Sequence, residues 1–427
     1  MRRVIVSSST LLALILVVIS VTLVQPCKAA GVIYIRADGS IDPPTAPIST
    51  LDQVTYKLTG DITSSGDGII VERDNIIIDG NGYTLQGSGS GNGISSSLGL
   101  SLHVTIENIK IRDFGNGITT RQDVFATVTK SNIMTCGNGI SVGAMSSCDV
   151  FENIITACGF NLYLQGYTSC NICRNNINNA LNYGIVAVSS ANRVNITENN
   201  IINNNGGGFG MQESSFCNIT KNRITNNAGN GIAIGAWSGD NTVSKNFITG
   251  NGGDGIRLSS LSGFPNITEN TILNNIGAGV RTTTELLGGI PEVRCNIIVG
   301  NGYGVWMAAP AKILHNTFFH NTIQAFCYSA ESISVWDDGY PAGGNYWADY
   351  VGQDHYKGPN QDIPGSDGIG DTPYVIDANN KDNYPLLYPN TLLPPQNAVA
   401  EPSPIIIVCS MIGAASAFWL AHRRKLV

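Results

Sequence analysis

Apolar residues recur through the middle of the chain at a nearly constant interval. Ile94, Ile118, Ile140, Leu162, Ile185, Phe209, Ile232, Ile256, Val280 and Val305 follow one another every 22 to 25 residues. Two residues before each stands a marker: Asn92, Asn116, Asn138, Phe160, Tyr183, Gly207, Asn230, Asp254, Ala278 and Tyr303, with Asp67 opening an earlier turn. Two residues after each apolar position, from Val142 onward, a second file runs through Leu164, Ala187, Met211, Ile234, Leu258, Thr282 and Met307. The residue between the two files varies freely: Ser141, Tyr163, Val186, Gly210, Ala233, Arg257, Arg281, Trp306. Inward, outward, inward is the two-residue period of a strand. Six residues before the marker a third file reads Ile154, Ile177, Ile201, Ile224, Ile248, Ile272 and Ile297, so each turn carries at least two short strands. No stretch has a helical period. Short strands repeating in one direction at this interval predict a parallel β-helix, each strand pairing with its equivalent about 4.8 Å along the axis.

Asparagine fits this frame. Asn175, Asn199, Asn222, Asn246 and Asn270 share one position, eight before the marker, and Asn204, Asn227, Asn251 and Asn275 share another, three before it. Stacked in register, these amides can bond to one another and to turn backbone, while Asn and Gly tolerate the left-handed conformation of sharp bends. The expectation is an asparagine ladder at the corners.

The chain ends differ in character. Residues 1–30 hold two arginines, an apolar run and small residues before Gly31, the pattern of a secretory signal. Ile405 to Ala421 is unbroken apolar sequence followed by His-Arg-Arg-Lys, as in a membrane anchor with its basic flank inside. Charged residues make up 13% of the chain and the net charge is −7. Such a balance provides no basic field to attract nucleic acid.

The repeats resemble those of right-handed parallel β-helix proteins of the NosD-like group. A second set of motifs, Gly-Gly-Asn-Tyr-Trp-Ala-Asp-Tyr ending at Tyr350, Ser-Asp-Gly-Ile-Gly-Asp-Thr-Pro-Tyr-Val-Ile from Ser366, and Asp-Asn-Tyr-Pro-Leu-Leu from Asp382, is similar to the C-terminal signature of archaeal cell-surface members. The resemblance spans Val32 to Leu387. The expected fold is all-β, a right-handed parallel β-helix solenoid of about 11 to 12 coils with a C-terminal cap and one C-terminal transmembrane helix. Its expected divisions are a signal peptide (1–30), an N-terminal cap and lead-in strands (31–66), β-helix repeats (67–335), a cap (336–388), a Pro-rich linker (389–404), a transmembrane anchor (405–422) and a basic tail (423–427). The protein is expected to be exported and anchored with the β-helix outside.

One β-helix hosts many activities, so function must come from sites. Copper is what the group's name implies, yet Met211 and Met307 lie four coils apart, about 19 Å, and His315 and His320 are remote from His103 and His355, so copper is not expected. Arg257 and Arg281 stack on one outward file with Trp306 next and Tyr163 further back, a candidate face for sugar rings and acidic groups or a plain solvated sheet. That file holds no carboxylate, and no catalytic residue is assigned. A polysaccharide or cell-envelope partner bound without catalysis is the first expectation. A polysaccharide lyase or hydrolase, and a NosD-like accessory to a transporter or copper enzyme, are the alternatives. Asp362, Asp367 and Asp371 sit in a Gly-rich loop that is a candidate for calcium, or simply part of a rigid cap with Trp347 and Tyr350 over the last coil. Cys136 with Cys158, and Cys148 with Cys170, occupy equivalent positions on neighbouring coils and are candidate disulfides or small apolar core residues. Asn195, Asn218 and Asn266 each begin an Asn-Ile-Thr sequon, a candidate glycosylation signal.

Overall fold

A computed structural model describes residues 31–389 except 98–100, 121–122, 144, 260–262, 284–288 and 330–331. The expected signal peptide, anchor, basic tail and all of the linker beyond residue 389 lie outside the described residues. Among the described residues no helix is long and apolar enough to cross a membrane.

Each coil contains three strands, one more than the sequence pattern required. The coil around Asn199 is representative. Asn195–Thr197 belongs to a second sheet, Asn200–Ile202 to a third, and Gly207–Gln212 to the first, the sheet that carries the markers. Every such strand pairs in parallel with its equivalent on the neighbouring coils, as in Ile172↔Ile196↔Ile219 and Ile185↔Phe209↔Ile232. The result is an all-β solenoid of about 11 turns. Parallel pairing already begins at Ile33–Ile35, opposite Ile69–Val71, and continues at Thr55–Leu58, both earlier than residue 67, and the N-terminal end is closed by two antiparallel pairings, Tyr34↔Asp42 and Ile48↔Leu58.

The core is a stack of files. Ile140, Leu162, Ile185, Ile232 and Ile256 are fully buried, as are Val142, Leu164, Ile234 and Met307 two residues on. Thr282 is the polar exception, and its hydroxyl is satisfied by accepting from Ala308 N (3.0 Å) and donating to Ala309 O (3.3 Å). The third file departs from expectation at its ends: Ile155 and Ile298, not Ile154 and Ile297, pair with the file and are buried. The connection from this file to the marker is one residue shorter in those coils, so a fixed offset lands on the outward neighbour. A one-residue slip reverses a strand's faces.

The asparagines form the expected ladder and extend it at both ends. Each Nδ2 donates to the next Oδ1 from Asn153 through Asn175, Asn199, Asn222, Asn246, Asn270, Asn296 and Asn316 to Asn345, at 2.9 to 3.1 Å. The same Oδ1 atoms also accept backbone N–H groups, as Asn246 Oδ1 does from Asn222 N (2.9 Å). A second ladder, Asn204 to Asn227, Asn251, Asn275, Asn301 and Asn321, lines the next corner. From Asn153 to Asn316 the left-handed residue before the first ladder is not Gly or Asn but Glu152, Arg174, Glu198, Lys221, Lys245, Glu269, Cys295 or His315. Charged residues hold a conformation that costs them about 1 kcal/mol or more because the ladder and both flanking sheets fix the bend.

Residues 336–388 lie over the last coil. Tyr346–Trp347 pairs with Thr317 and Phe318, and the buried Trp347 ring stacks between Phe318 (4.5 Å) and Tyr374 (4.2 Å). The ladder ends on Asp382, whose Oδ2 accepts from Asn345 N (2.7 Å) and the Trp347 indole (2.9 Å) while Oδ1 accepts from Tyr384 N (3.1 Å). Burial pushes this carboxyl up to about 7 against the pull of those donors.

Candidate functional site

The outward file of the first sheet changes character along the axis. Register places Ala233, Arg257, Arg281, Trp306 and Phe326 side by side on consecutive coils. At about 4.8 Å per coil, the last four cover roughly 14 Å. The Arg281 guanidinium lies 4.4 Å from the centroid of the Trp306 ring. Trp306 is stacked on Phe326 (6.0 Å) and contacts Tyr328 (5.3 Å), and Tyr303 meets Phe326 (5.8 Å). The sequence pattern missed Phe326 and Tyr328. Their coil has Ile323 and Gln324 in place of the marker and its glycine, which hid the continuation.

A carboxylate underlies this face, although the outward file itself holds none. Asp254 is 3% exposed, receives Arg281 Nε at 2.9 Å and lies 3.6 Å from Arg257 Nη1. Its place in the backbone explains why it looked structural. Its N–H donates to Asn230 Oδ1 and its own Oδ1 accepts from Ala278 N, both at 2.8 Å, which are the bonds of an asparagine corner. A carboxylate in place of that amide adds a charge, and both arginines use it. A side chain at Gly277 would come within 2.3 Å of Asp254 Oδ1, so glycine there keeps the seat open. With its oxygens bonded to Arg281 and to backbone, Asp254 orients the guanidinium.

Tyr163 is not brought to this cluster. It sits four coils back beside Phe160 (5.6 Å), separated from Arg257 by Val186, Gly210 and Ala233. The small residues leave a shallow stretch of sheet between a tyrosine end and an arginine–tryptophan end. A surface groove of about 840 Å3 lined by Lys57, Asp79, Lys110, Lys130 and Glu152 lies instead on N-terminal coils at the corner between the second and third sheets, and its charges are mixed.

The remaining candidates are placed as follows. Asp371 accepts from His355 N (2.9 Å) and Tyr356 N (3.0 Å), and Asp367 caps Ile369 N (3.1 Å), so these oxygens tie the cap's own backbone. Asp362 joins no such cluster, and among the described residues no group of three His, Cys, Asp or Glu side chains gathers to hold a metal ion. Cys148 and Cys170 are register partners in the buried core with Sγ atoms 3.0 Å apart, while Cys136 and Cys158 are buried thiols donating to Met134 O and Thr156 O. All eight described cysteines are free thiols. Asn195, Asn218 and Asn266 open strands of the second sheet with their side chains outward.

A long parallel solenoid with one decorated sheet defines the class of protein. Residues 158–323 match the family described as right handed beta helix region, and residues 48–206 match that described as periplasmic copper-binding protein (NosD). The repeat region is thus similar to the NosD-like and right-handed parallel β-helix families. Met211 and Met307 are both buried core residues with three coils between them, and the described His, Cys, Asp and Glu residues do not cluster. No curated protein matches the chain by sequence. Among solved structures, the periplasmic alginate epimerase AlgG superposes with a TM-score of 0.54 at 15% identity, over 72% of this chain and 82% of its own. The A-module of the mannuronan C-5 epimerase AlgE6 from Azotobacter vinelandii gives 0.45 at 15% identity, over 72% and 89%. The Dettilon tailspike protein gives 0.33 at 13% identity, over 68% and 60%. At 15% identity the likeness to AlgG is one of fold.

Proposed function

We propose that the protein is an exported, membrane-tethered binder of an acidic polysaccharide or similar cell-envelope polymer, held along the first sheet without catalysis. The observation that carries this reading is Arg281, fixed between the buried Asp254 and the Trp306 ring. A guanidinium held in place spends little entropy on meeting a sugar carboxylate, and the adjoining Trp306, Phe326 and Tyr328 rings offer faces to apolar sugar surfaces. Arg257 adds a second cation one coil away. A repeating polymer would engage several weak contacts at once. The fold shared with an alginate epimerase supports a sugar polymer as ligand only through the shape of the face. Against catalysis stands Asp254 itself, the one carboxylate of the cluster, whose oxygens are already bonded.

The test presents the purified protein with uronic-acid and neutral polysaccharides, following binding, new chain ends and epimerised residues together. Binding to the acidic polymers without chemical change, lost in Arg281→Ala, is expected. Cleavage or epimerisation would falsify the non-catalytic reading.

A further inference from the structure

The corner between the first and second sheets carries an apolar feature that the binding face does not use. Two residues before each second-sheet strand, the register of Asn195, Asn218, Thr242, Asn266, Glu292 and Lys312 aligns Arg193, Phe216, Asp240, Phe264, Ile290 and Pro310. Phenylalanine appears in this file only at Phe216 and Phe264, each 58% exposed. Both belong to a Phe-x-Asn-Ile-Thr run. In each run the first, third and fifth residues face outward and the second and fourth are buried: Cys217 and Ile219, then Pro265 and Ile267. Phenylalanine, asparagine and threonine therefore share one outer surface. Trp237, 66% exposed, stands in the corner of the coil between them.

The three sequons differ in how free the amide is. Asn195 Nδ2 donates to Asn171 Oδ1 at 2.8 Å, whereas the side chains of Asn218 and Asn266 make no hydrogen bond among the described residues. Asn218 and Asn266 lie two coils apart, about 10 Å, room for two chains to leave the surface side by side. Asn195 is the direct neighbour of Asn218 at about 5 Å, where a second chain would crowd the first.

We propose that Asn218 and Asn266 are N-glycosylation sites at which the first sugar ring lies on Phe216 and Phe264. The donor is a lipid-linked oligosaccharide phosphate. The asparagine Nδ2 forms a bond to the anomeric carbon, the bond from that carbon to the phosphate oxygen breaks with its electron pair leaving on the phosphate, and the amide proton passes to the transferase. The threonine two residues on supplies the hydroxyl that the sequon requires. The apolar face of the sugar covers a ring that otherwise stands in water, and large exposed apolar side chains grouped in this way mark a surface that something covers. This inference is independent of the polymer-binding face, which lies on the first sheet.

The test is peptide mass spectrometry of the full chain isolated from the cells that make it. Glycan masses on the Asn218 and Asn266 peptides, with at least several-fold lower occupancy at Asn195, are expected; unmodified Asn218 and Asn266 overturn the proposal. Thermal melting of the same material tests the platform. Phe264→Ala should lower Tm by about 2 °C in the glycosylated protein and by clearly less in the Asn266→Gln background. An equal loss in both backgrounds overturns the ring contact.

Discussion

The inner corner of the solenoid and the outer file of its first sheet are built from the same repeat and obey different rules. At the corner, nine consecutive asparagines from Asn153 to Asn345 make the same bonds coil after coil. On the file, one step along the axis exchanges Ala233 for Arg257, and three steps more reach Phe326. A buried amide has partners above and below, and any change strands several of them. An outward side chain on a continuous sheet answers only to solvent or ligand. Periodicity thus marks what holds this fold, and its interruption marks what the fold presents.

Breaking the ladder should have the largest effect on stability. Asn246→Ala removes an amide that donates to Ile219 O (2.8 Å) and Asn270 Oδ1 (3.0 Å) and accepts from Asn222 N (2.9 Å). Buried groups left unpaired on both sides should cost about 3 kcal/mol or more, read as a fall in the urea midpoint. Leaving polymer binding intact in the surviving folded fraction would sharpen the contrast between corner and face.

The ladder's last partner should respond to pH. A carboxyl whose folded value is raised from 3.8 to about 7 stabilises the fold most when protonated. Its contribution is full below the unfolded value and is lost as pH rises through about 7, on the order of a few kcal/mol. Thermal melting followed by tryptophan fluorescence, to which Trp347 in the cap contributes, should therefore show a decline from about pH 4 to about pH 7 beyond that of Asp382→Asn. Equal profiles for the two proteins would mean that the three donors on Asp382 keep it ionised throughout.

The face should behave in the opposite way. Trp306→Ala removes the ring beneath Arg281 and the link to Phe326 and Tyr328, and should weaken polymer binding by about tenfold while moving the urea midpoint little. A stability loss rivalling that of Asn246→Ala would show that the aromatic file belongs to the scaffold.

Fold and site were unequally legible in the sequence for the same reason. The buried files and the ladder recur, so their period exposes them, and even the slips at Ile154 and Ile297 came from trusting a fixed offset across connections of unequal length. Arg257, Arg281 and Trp306 were visible because they broke the pattern at an aligned position. Asp254 was not, because it satisfies the corner's backbone bonds as an asparagine would and shows its charge only to side chains three and 27 residues on. Phe326 was hidden by the loss of its marker glycine. The cap's carboxylates read equally as a calcium loop or as a rigid cap because ligands and backbone caps draw on the same Asp-Gly vocabulary.

The smallest expected effect lies on the ladder's own outer side, where the two rules meet. The left-handed corner residues alternate roughly in sign, with Arg174 facing Glu152 (3.3 Å), Lys221 facing Glu198 (4.0 Å) and Lys245 facing Glu269 (3.6 Å). Their backbone is fixed by the period and their charges by the neighbouring coil. All are roughly half exposed, so each pair should contribute little and less in salt. Glu269→Lys would extend the run begun by Lys221 and Lys245 to a third consecutive coil of like charge, and should lower stability by about 0.5 kcal/mol, a loss that fades in 1 M salt. A larger loss that persists in salt would mean that the corner conformation, rather than its charge, depends on the residue. The boundary between what repeats and what varies would then run outside this corner, with the charged residues counted as part of the scaffold.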